Sequence, residues 1–273
     1  MMMPPHYSIR INPLYAGLAA SRLESFMRAL PRTFATEGEL VFRNRRNELR
    51  RFSVDCGLDA PLSVVVKRYK KPNLFQRCAS VFTGGLKGAK AFRNGLEFLS
   101  RGFLTPTPVA ALEVRHGLVW IDSYYACAEC TWPTARPLFE SADGDVVRRE
   151  AFLDAVARYA AALHGAGIIH GDLNDTNIYY DTADDGFRFT IIDINRMRFY
   201  DGLPPRRACL KDLMRLCKSI ETLTRITTRY ATIRQWDMLT TLRQELRYKQ
   251  RLNDKFARKD KFKRLRALFR SRS

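Results

Sequence analysis

Apolar and polar positions change period several times along this chain. Leu18, Leu23, Phe26, Met27 and Leu30 recur at near-helical spacing over Gly17–Leu30, and Pro31 is expected to stop that helix. Residues 1–16, with Pro4, Pro5 and Pro13, read as a tail. Strand patterns follow: Leu40–Phe42, a turn at Arg43–Asn47, a return strand at Leu49–Val54, and the β-branched run Leu62–Val66 ending in Lys67. After Pro72 the chain reads as loop through Thr83-Gly84-Gly85. Ala89–Arg101 then reads as a helix with Phe92, Leu96 and Leu99 on one face, closed by Gly102. Thr105–Pro108 is an extended linker into a strand at Val109–Val114. His116-Gly117 makes the turn into Leu118–Tyr125, and Tyr124–Cys130 reads as a hinge.

From there the period is helical. Val146–His164 carries the stripe Phe152, Val156, Tyr159, Ala160 and Leu163, and Gly165 and Gly167 end it. His164 reads as a helix-terminal residue that complements the dipole. A later helix starting near Arg207 would bury Leu210, Leu213, Met214, Cys217 and Ile220, and another would bury Trp236, Leu239, Leu242 and Leu246. From Lys255 onward a basic segment carries Phe262, Leu265, Leu268 and Phe269 at helical spacing. Strands first and helices afterwards predict an α+β fold.

Composition adds bounds. The 273 residues, 46% of them hydrophobic, suffice for one large domain or two lobes sharing a cleft. The net charge of +19 implies an anionic partner such as a phosphorylated saccharide, an anionic membrane surface or nucleic acid. No zinc-finger, helix-turn-helix or RNP-type motif supports the nucleic acid. The basic terminal helix suits the membrane surface, or equally a solvated tail. The six cysteines are scattered, and Cys127-x-x-Cys130 has no second pair at zinc-ribbon spacing, so reduced thiols and a cytoplasmic setting are expected. Met1–Arg10 lacks the apolar core of a secretory signal, and no apolar run is long enough to span a membrane.

The chemistry concentrates in Ile168–Ile178. Ile168-Ile169 leads into His170-Gly171-Asp172, Asn177 follows Asp172 by five residues, and Phe189–Ile192 runs into Asp193. This is the pattern H-x-D-x-x-x-x-N followed by an apolar strand ending in Asp. In the kinase fold the first Asp accepts the substrate hydroxyl proton, while the Asn and second Asp hold Mg²⁺ on the ATP phosphates. Magnesium takes hard oxygen ligands, one or two of them carboxylates, plus phosphates. His170 is expected to fix the loop by hydrogen-bonding backbone near the second magnesium ligand. Lys67, at the end of a strand, suits the phosphate-contacting lysine, with Arg68, Lys70 and Lys71 as rivals. Three departures stand out. The Arg43–Asn47 turn has no G-x-G-x-x-G. Glu97 is the only acid inside the helix where a lysine-pairing glutamate belongs. Asn195 stands where the pattern after Asp193 has glycine. Asp212 reads either as a brace under the catalytic loop or as a helix-surface aspartate.

The order VVVKRYK, FLTPTPVA, HGDLNDTNI and IIDINRMRF resembles the lipopolysaccharide kinase family, the bacterial Kdo/heptose kinases of the protein-kinase-like superfamily. The resemblance runs from about Phe34 to Cys217. It implies a bilobal protein-kinase-like α+β fold over residues 1–273, with a small β-rich N-lobe at 1–125 and a helical C-lobe at 126–273. It implies Asp172 as catalytic base, Asn177 and Asp193 as magnesium ligands, and Lys67 on the ATP phosphates. Between Asp193 and Arg207 there is little room, and no A-P-E motif closes a peptide-docking segment, which favours a compact hydroxyl donor. The expected activity is ATP-dependent phosphorylation of a sugar hydroxyl in the lipopolysaccharide inner core, Kdo or heptose, at the cytoplasmic face of the membrane. A kinase of another small molecule or of protein, and a non-catalytic ATP-binding module, are the alternatives.

Overall fold

The computed structural model describes residues 5–44, 47–70, 86–117, 119–140, 146–183 and 186–270. The expected turn residues Arg45 and Arg46, the rival Lys71, the loop 72–85 and Leu118 lie outside them, as do the side chains of His116, Leu265, Leu268 and Phe269. The chain divides into two compact units: Met1–Trp132 with Thr190–Met197, and Pro133–Phe189 with Arg198–Ser273. The fold is a protein-kinase-like α+β fold, with an antiparallel sheet in the first unit and helices dominating the second.

The first unit is built on a six-stranded antiparallel sheet in the order β1-β5-β6-β4-β3-β2. Its strands are β1 (His6–Ile11), β2 (Glu39–Arg43), β3 (Asn47–Val54), β4 (Leu62–Tyr69), β5 (Pro108–His116) and β6 (Val119–Ala128). The supposed tail is therefore an edge strand: His6–Ile11 pairs with Arg115–Ala110. Tyr7, Ile9 and Ile11 alternate with polar residues, the period of a half-covered strand, and the flanking prolines fall outside the ladder. Helix α1 (Gly17–Thr33) covers one face of the sheet. Its Leu23, Met27 and Leu30, with Phe34 beyond it, pack against Val54, Val64, Val66, Leu112, Tyr124 and Ala126. Pro31 does not end α1 but sits in its last turn, where it forfeits only its own amide bond.

Helix α2 (Lys87–Ser100) lies close against the sheet because two of its positions have no side chain. A Cβ on Gly88 would stand 2.5 Å from the Tyr124 carbonyl oxygen, and one on Gly95 would stand 2.5 Å from Pro108. β6 continues as a paired strand to Ala128, so Tyr124–Ala128 is sheet interior rather than hinge, and the connection out of the unit begins at Glu129.

The second unit starts with α3 (Arg136–Glu140) and α4 (Val146–Gly165). Phe152 of α4 centres an aromatic cluster with Phe139, Tyr180, Phe187 and Phe189, ring centroids 5.0–6.3 Å apart. β7 (Ile168–Ile169) pairs with β10 (Arg198–Phe199), and β8 (Ile178–Ala183) pairs with β9 (Gly186–Ile191), which leads into Asp193. The helix expected from Arg207 to Ile220 is two helices, α5 (Arg206–Leu213) and α6 (Ile220–Ile233). The break has a local cause: Ser219 caps α6, its Oγ accepting from the Thr222 amide at 3.2 Å. Leu210, Leu213, Met214 and Cys217 are buried as expected, whereas Ile220 is exposed.

The last helix, α7 (Met238–Arg270), reverses its expected face. Leu239 and Leu246 are exposed, and the buried stripe is Thr241, Glu245 and Lys249. Among the described residues no helix is long and apolar enough to cross a membrane.

Candidate functional site

In the first unit, β4 carries Lys67, two residues before the strand ends at Tyr69, and β9 leads into Asp193. The Lys67 ammonium lies 2.6 Å from Asp193 Oδ1 and 5.1 Å from the centre of the Tyr69 ring. The pair is only partly exposed, 14% for the lysine side chain and 30% for the carboxylate, so solvent screens it weakly. Asp193 adopts a left-handed conformation (φ 61°) that turns the chain from strand into the 3-10 turn Ile194–Arg196. Asn195, in the place of a glycine, donates its Nδ2 to Asp193 Oδ1 at 2.6 Å. An amide thus holds the carboxylate where a glycine could not.

α2 contributes to this arrangement, though not through its glutamate. Glu97 pairs with Arg101 one turn on, and Lys67 takes Asp193 instead. Asn94, in the turn where an acid was sought, donates Nδ2 to the Ile194 carbonyl at 2.7 Å. The helix therefore grips the segment after Asp193 rather than the lysine. Of the rivals to Lys67, Arg68 is turned to Asp122 at 3.1 Å, on the α1 side of the sheet.

In the second unit the loop after β7 presents Asp172 and Asn177. Its backbone is tied down from three sides. The buried Asp212 of α5 accepts the His170 amide at 2.7 Å and the Gly171 amide at 2.8 Å. The Asp172 carbonyl accepts the side-chain amides of Asn174 at 3.0 Å and Asn177 at 2.9 Å. The His170 ring accepts from the Asp172 amide at 3.3 Å, a bond within the loop itself. Because the Asn177 Nδ2 is committed to a carbonyl, its Oδ1 remains for a ligand. No other described residue bonds it.

Asp212 is thus a brace and not a surface residue. Burial opposes its ionisation. The His164 side chain, the nearby His170 and the backbone amide outweigh that and hold the carboxyl below the usual aspartate range. His164 is fully buried, 3.7 Å from Asp212 through Nε2, with Nδ1 2.8 Å from the Tyr230 hydroxyl. Burial works against its protonation too, but Asp212 and Cys209 raise its pKa on balance. The expectation that His164 merely completes a helix end missed this contact, since nothing local to residue 164 points to residue 212.

Arg215 also escaped the sequence reading. It lies in the connection between α5 and α6, and its Nη1 stands 3.4 Å from Asp172 Oδ1. One arginine among 47 basic residues carries no local signal. The thiol of Cys127, on β6, is pushed up to about 12 by burial, which leaves it protonated and a poor metal ligand.

Asp193 and the Asn177 amide oxygen are hard oxygen donors of the type magnesium takes when phosphates complete its shell. Among the described residues no cluster of three His, Cys, Asp or Glu side chains forms an all-protein metal cage.

Fold and motifs together define a protein-kinase-like phosphotransferase. The model of the lipopolysaccharide kinase (Kdo/WaaP) family matches residues 84–242, more than half of the chain, and the protein belongs to that family. Membership makes it a phosphotransferase with a sugar hydroxyl as acceptor. The solved structure titled "WaaP in complex with acyl carrier protein" is similar over 91% of this chain and 98% of that one, with a TM-score of 0.60 and 19% identity. Among curated proteins no match was found.

Proposed function

We propose that this chain transfers the γ-phosphoryl group of ATP to a hydroxyl of Kdo or heptose in the inner core of lipopolysaccharide. The observation that carries the reading is the bracing of the Asp172 loop. Asp212 fixes its backbone and two asparagines fix the Asp172 carbonyl, while the Asp172 side chain stays 24% exposed and able to meet an acceptor. Holding a carboxylate in one place is what phosphoryl transfer asks of a protein, since catalysis there is mostly positioning and charge stabilisation.

In this reading Asp172 orients the acceptor hydroxyl and takes its proton as the new O–P bond forms. The bond from the γ-phosphorus to the bridging oxygen breaks in line, and ADP leaves. Lys67 meets the α- and β-phosphates. Asn177 and Asp193 would hold Mg²⁺, which when bound would neutralise phosphate charge. Residues 1–273 act as one catalytic domain.

The acceptor is acidic and sits on an anionic surface, which suits the charge of this chain. Residues 253–262 of α7 are exposed and carry Lys255, Arg258, Lys259 and Lys261 alongside Phe256 and Phe262. A helix of that kind binds an anionic bilayer through charge and shallow apolar insertion, and places the enzyme at the cytoplasmic face as a peripheral protein.

The test is phosphate transfer from γ-labelled ATP to deep-core lipopolysaccharide, comparing wild type with Asp172→Asn. Label on the saccharide that disappears in the variant is expected. Full turnover by the variant overturns the assignment of Asp172, and ATP hydrolysis without labelled saccharide overturns the acceptor.

A further inference from the structure

The buried stripe of α7 is polar, and its target is the connection that carries Arg215. Lys249 is 6% exposed, and its ammonium donates to the Met214 carbonyl at 2.9 Å and the Cys217 carbonyl at 2.5 Å. These two carbonyls flank Arg215. They lie in the connection between α5, which ends at Leu213, and α6, which begins only at Ile220, where no helix continues to supply amide partners. The Arg215 amide itself bonds the Asp212 carbonyl at 3.2 Å. Thus one turn of chain carries both groups that reach the catalytic loop: the Asp212 carboxylate on its backbone and the Arg215 guanidinium on its acid.

The stretch between Asp172 and Asn177 reads Leu173-Asn174-Asp175-Thr176 and contains no cation. The positive charge beside the acid therefore comes from outside the loop, from a short connection between two helices, closed by turns in which the Arg215 and Leu216 amides bond the Asp212 and Leu213 carbonyls. A flexible side chain on such a segment loses its geometry unless the backbone beneath it is fixed. Lys249 supplies that fixation. The titratable groups close enough to act on Lys249 are Cys217, Glu245, Asp175 and Arg215.

We propose that Lys249 is a positioning residue for phosphoryl transfer, acting through Arg215 on the orientation of Asp172. The proposal rests on the reading of Asp172 given above. It makes α7 at Lys249, beyond residue 242 where the family match ends, part of the catalytic frame.

The full chain is assayed for transfer from γ-labelled ATP to deep-core lipopolysaccharide in wild type, Asp172→Asn, Lys249→Met, Arg215→Met and the double variant. Lys249→Met is expected to lower kcat about ten- to a hundredfold, the scale of a small misplacement of a reacting group. The KM for ATP should stay within about twofold, because the nucleotide contacts are untouched. Arg215→Met should show the same split. The double variant should fall no further than Arg215→Met alone, because both act on one interaction. A merely structural lysine would instead give losses that multiply. Wild-type kcat in folded Lys249→Met, or multiplying losses, overturns the proposal. If Lys249→Met does not fold, Lys249→Gln takes its place. Arg215→Lys, at a partly exposed position, must lower kcat in any case or the proposal fails. Turnover surviving in Asp172→Asn marks the different failure, that of the functional reading itself.

Discussion

Glu245 offers a sharp test of how α7 is held. The residue is 1% exposed; its Oε2 accepts from the Thr227 hydroxyl, and its Oε1 has no hydrogen-bond partner among the described residues. Burial pushes its pKa up to about 8 from an ordinary 4.5, against the smaller opposing pulls of Thr227 and Lys249. A carboxyl raised by folding contributes stability that is whole below its unfolded value. That stability is lost as pH rises towards the folded value, because the unfolded chain ionises while the folded one holds its proton. Each pH unit in that window is worth about 1.4 kcal/mol. Through this group alone the wild type should lose roughly 3–5 kcal/mol between pH 4.5 and pH 8, a large part of the 5–15 kcal/mol typical of a domain. Glu245→Gln removes the titration and keeps an oxygen for Thr227. Urea denaturation at pH 5 and pH 8 should show the variant close to wild type at the lower pH and more stable at the higher. The wild-type-minus-variant difference cancels the other titrating groups. A difference that does not change with pH, or a variant less stable at pH 8, would refute the account of Glu245 as a neutral buried acid.

Asp212→Asn should lower stability by about 2–4 kcal/mol, since two hydrogen bonds to a buried charge become one to a neutral oxygen beside a misplaced donor; thermal denaturation measures it. The pair's own pH dependence has two edges. Asp212 contributes above the ordinary carboxylate range and loses its contribution as pH falls through its lowered value. His164 contributes fully below 6.5 and loses its share as pH rises through its raised value. His164→Gln should therefore flatten the alkaline edge of the wild-type stability profile. Gly88→Ala should cost about 1–3 kcal/mol by forcing α2 off Tyr124, because the added Cβ meets backbone that cannot rotate away; chemical denaturation decides it. Lys67→Met should raise the KM for ATP and lower kcat at least tenfold, on the order of one lost charge-assisted contact. A variant with wild-type nucleotide kinetics would remove Lys67 from the site.

The residues that could be read from sequence share one property: their geometry is set by their immediate neighbours. Asp172 and Asn177 belong to one turn, so their spacing alone fixes how the Asn177 amide reaches the Asp172 carbonyl. Lys67 and Asp193 each follow directly on an apolar run of strand residues, and strand direction tells where such a residue emerges. The edge strand His6–Ile11 was legible too, in its alternation, but three nearby prolines drew the reading towards a tail. The Ser219 cap that splits the helix after Leu213 was another local signal, outweighed by an apolar stripe that runs across the break.

What the sequence hid is tertiary and polar. Helical periodicity assumes that the apolar face is the buried one, and for α7 that assumption points to Leu239 and Leu246, which face water. The helix buries Thr241, Glu245 and Lys249 because the surface it covers is not apolar. Arg206 donates to Thr241 at 2.6 Å, Thr227 donates to Glu245, and two carbonyls left open by a broken helix take Lys249. A polar stripe can be buried only where each member has a complement, and the complements come from α5, α6 and the connection between them, 18–35 residues away in sequence. The same reasoning covers His164, Asp212 and Arg215. Each is polar, each acts on the Asp172 loop or on its brace, and each reads in isolation as helix or loop surface. A kinase loop announces its chemistry in a few consecutive residues, while the frame that keeps such a loop in place is distributed over helices whose own sequences carry no such signature.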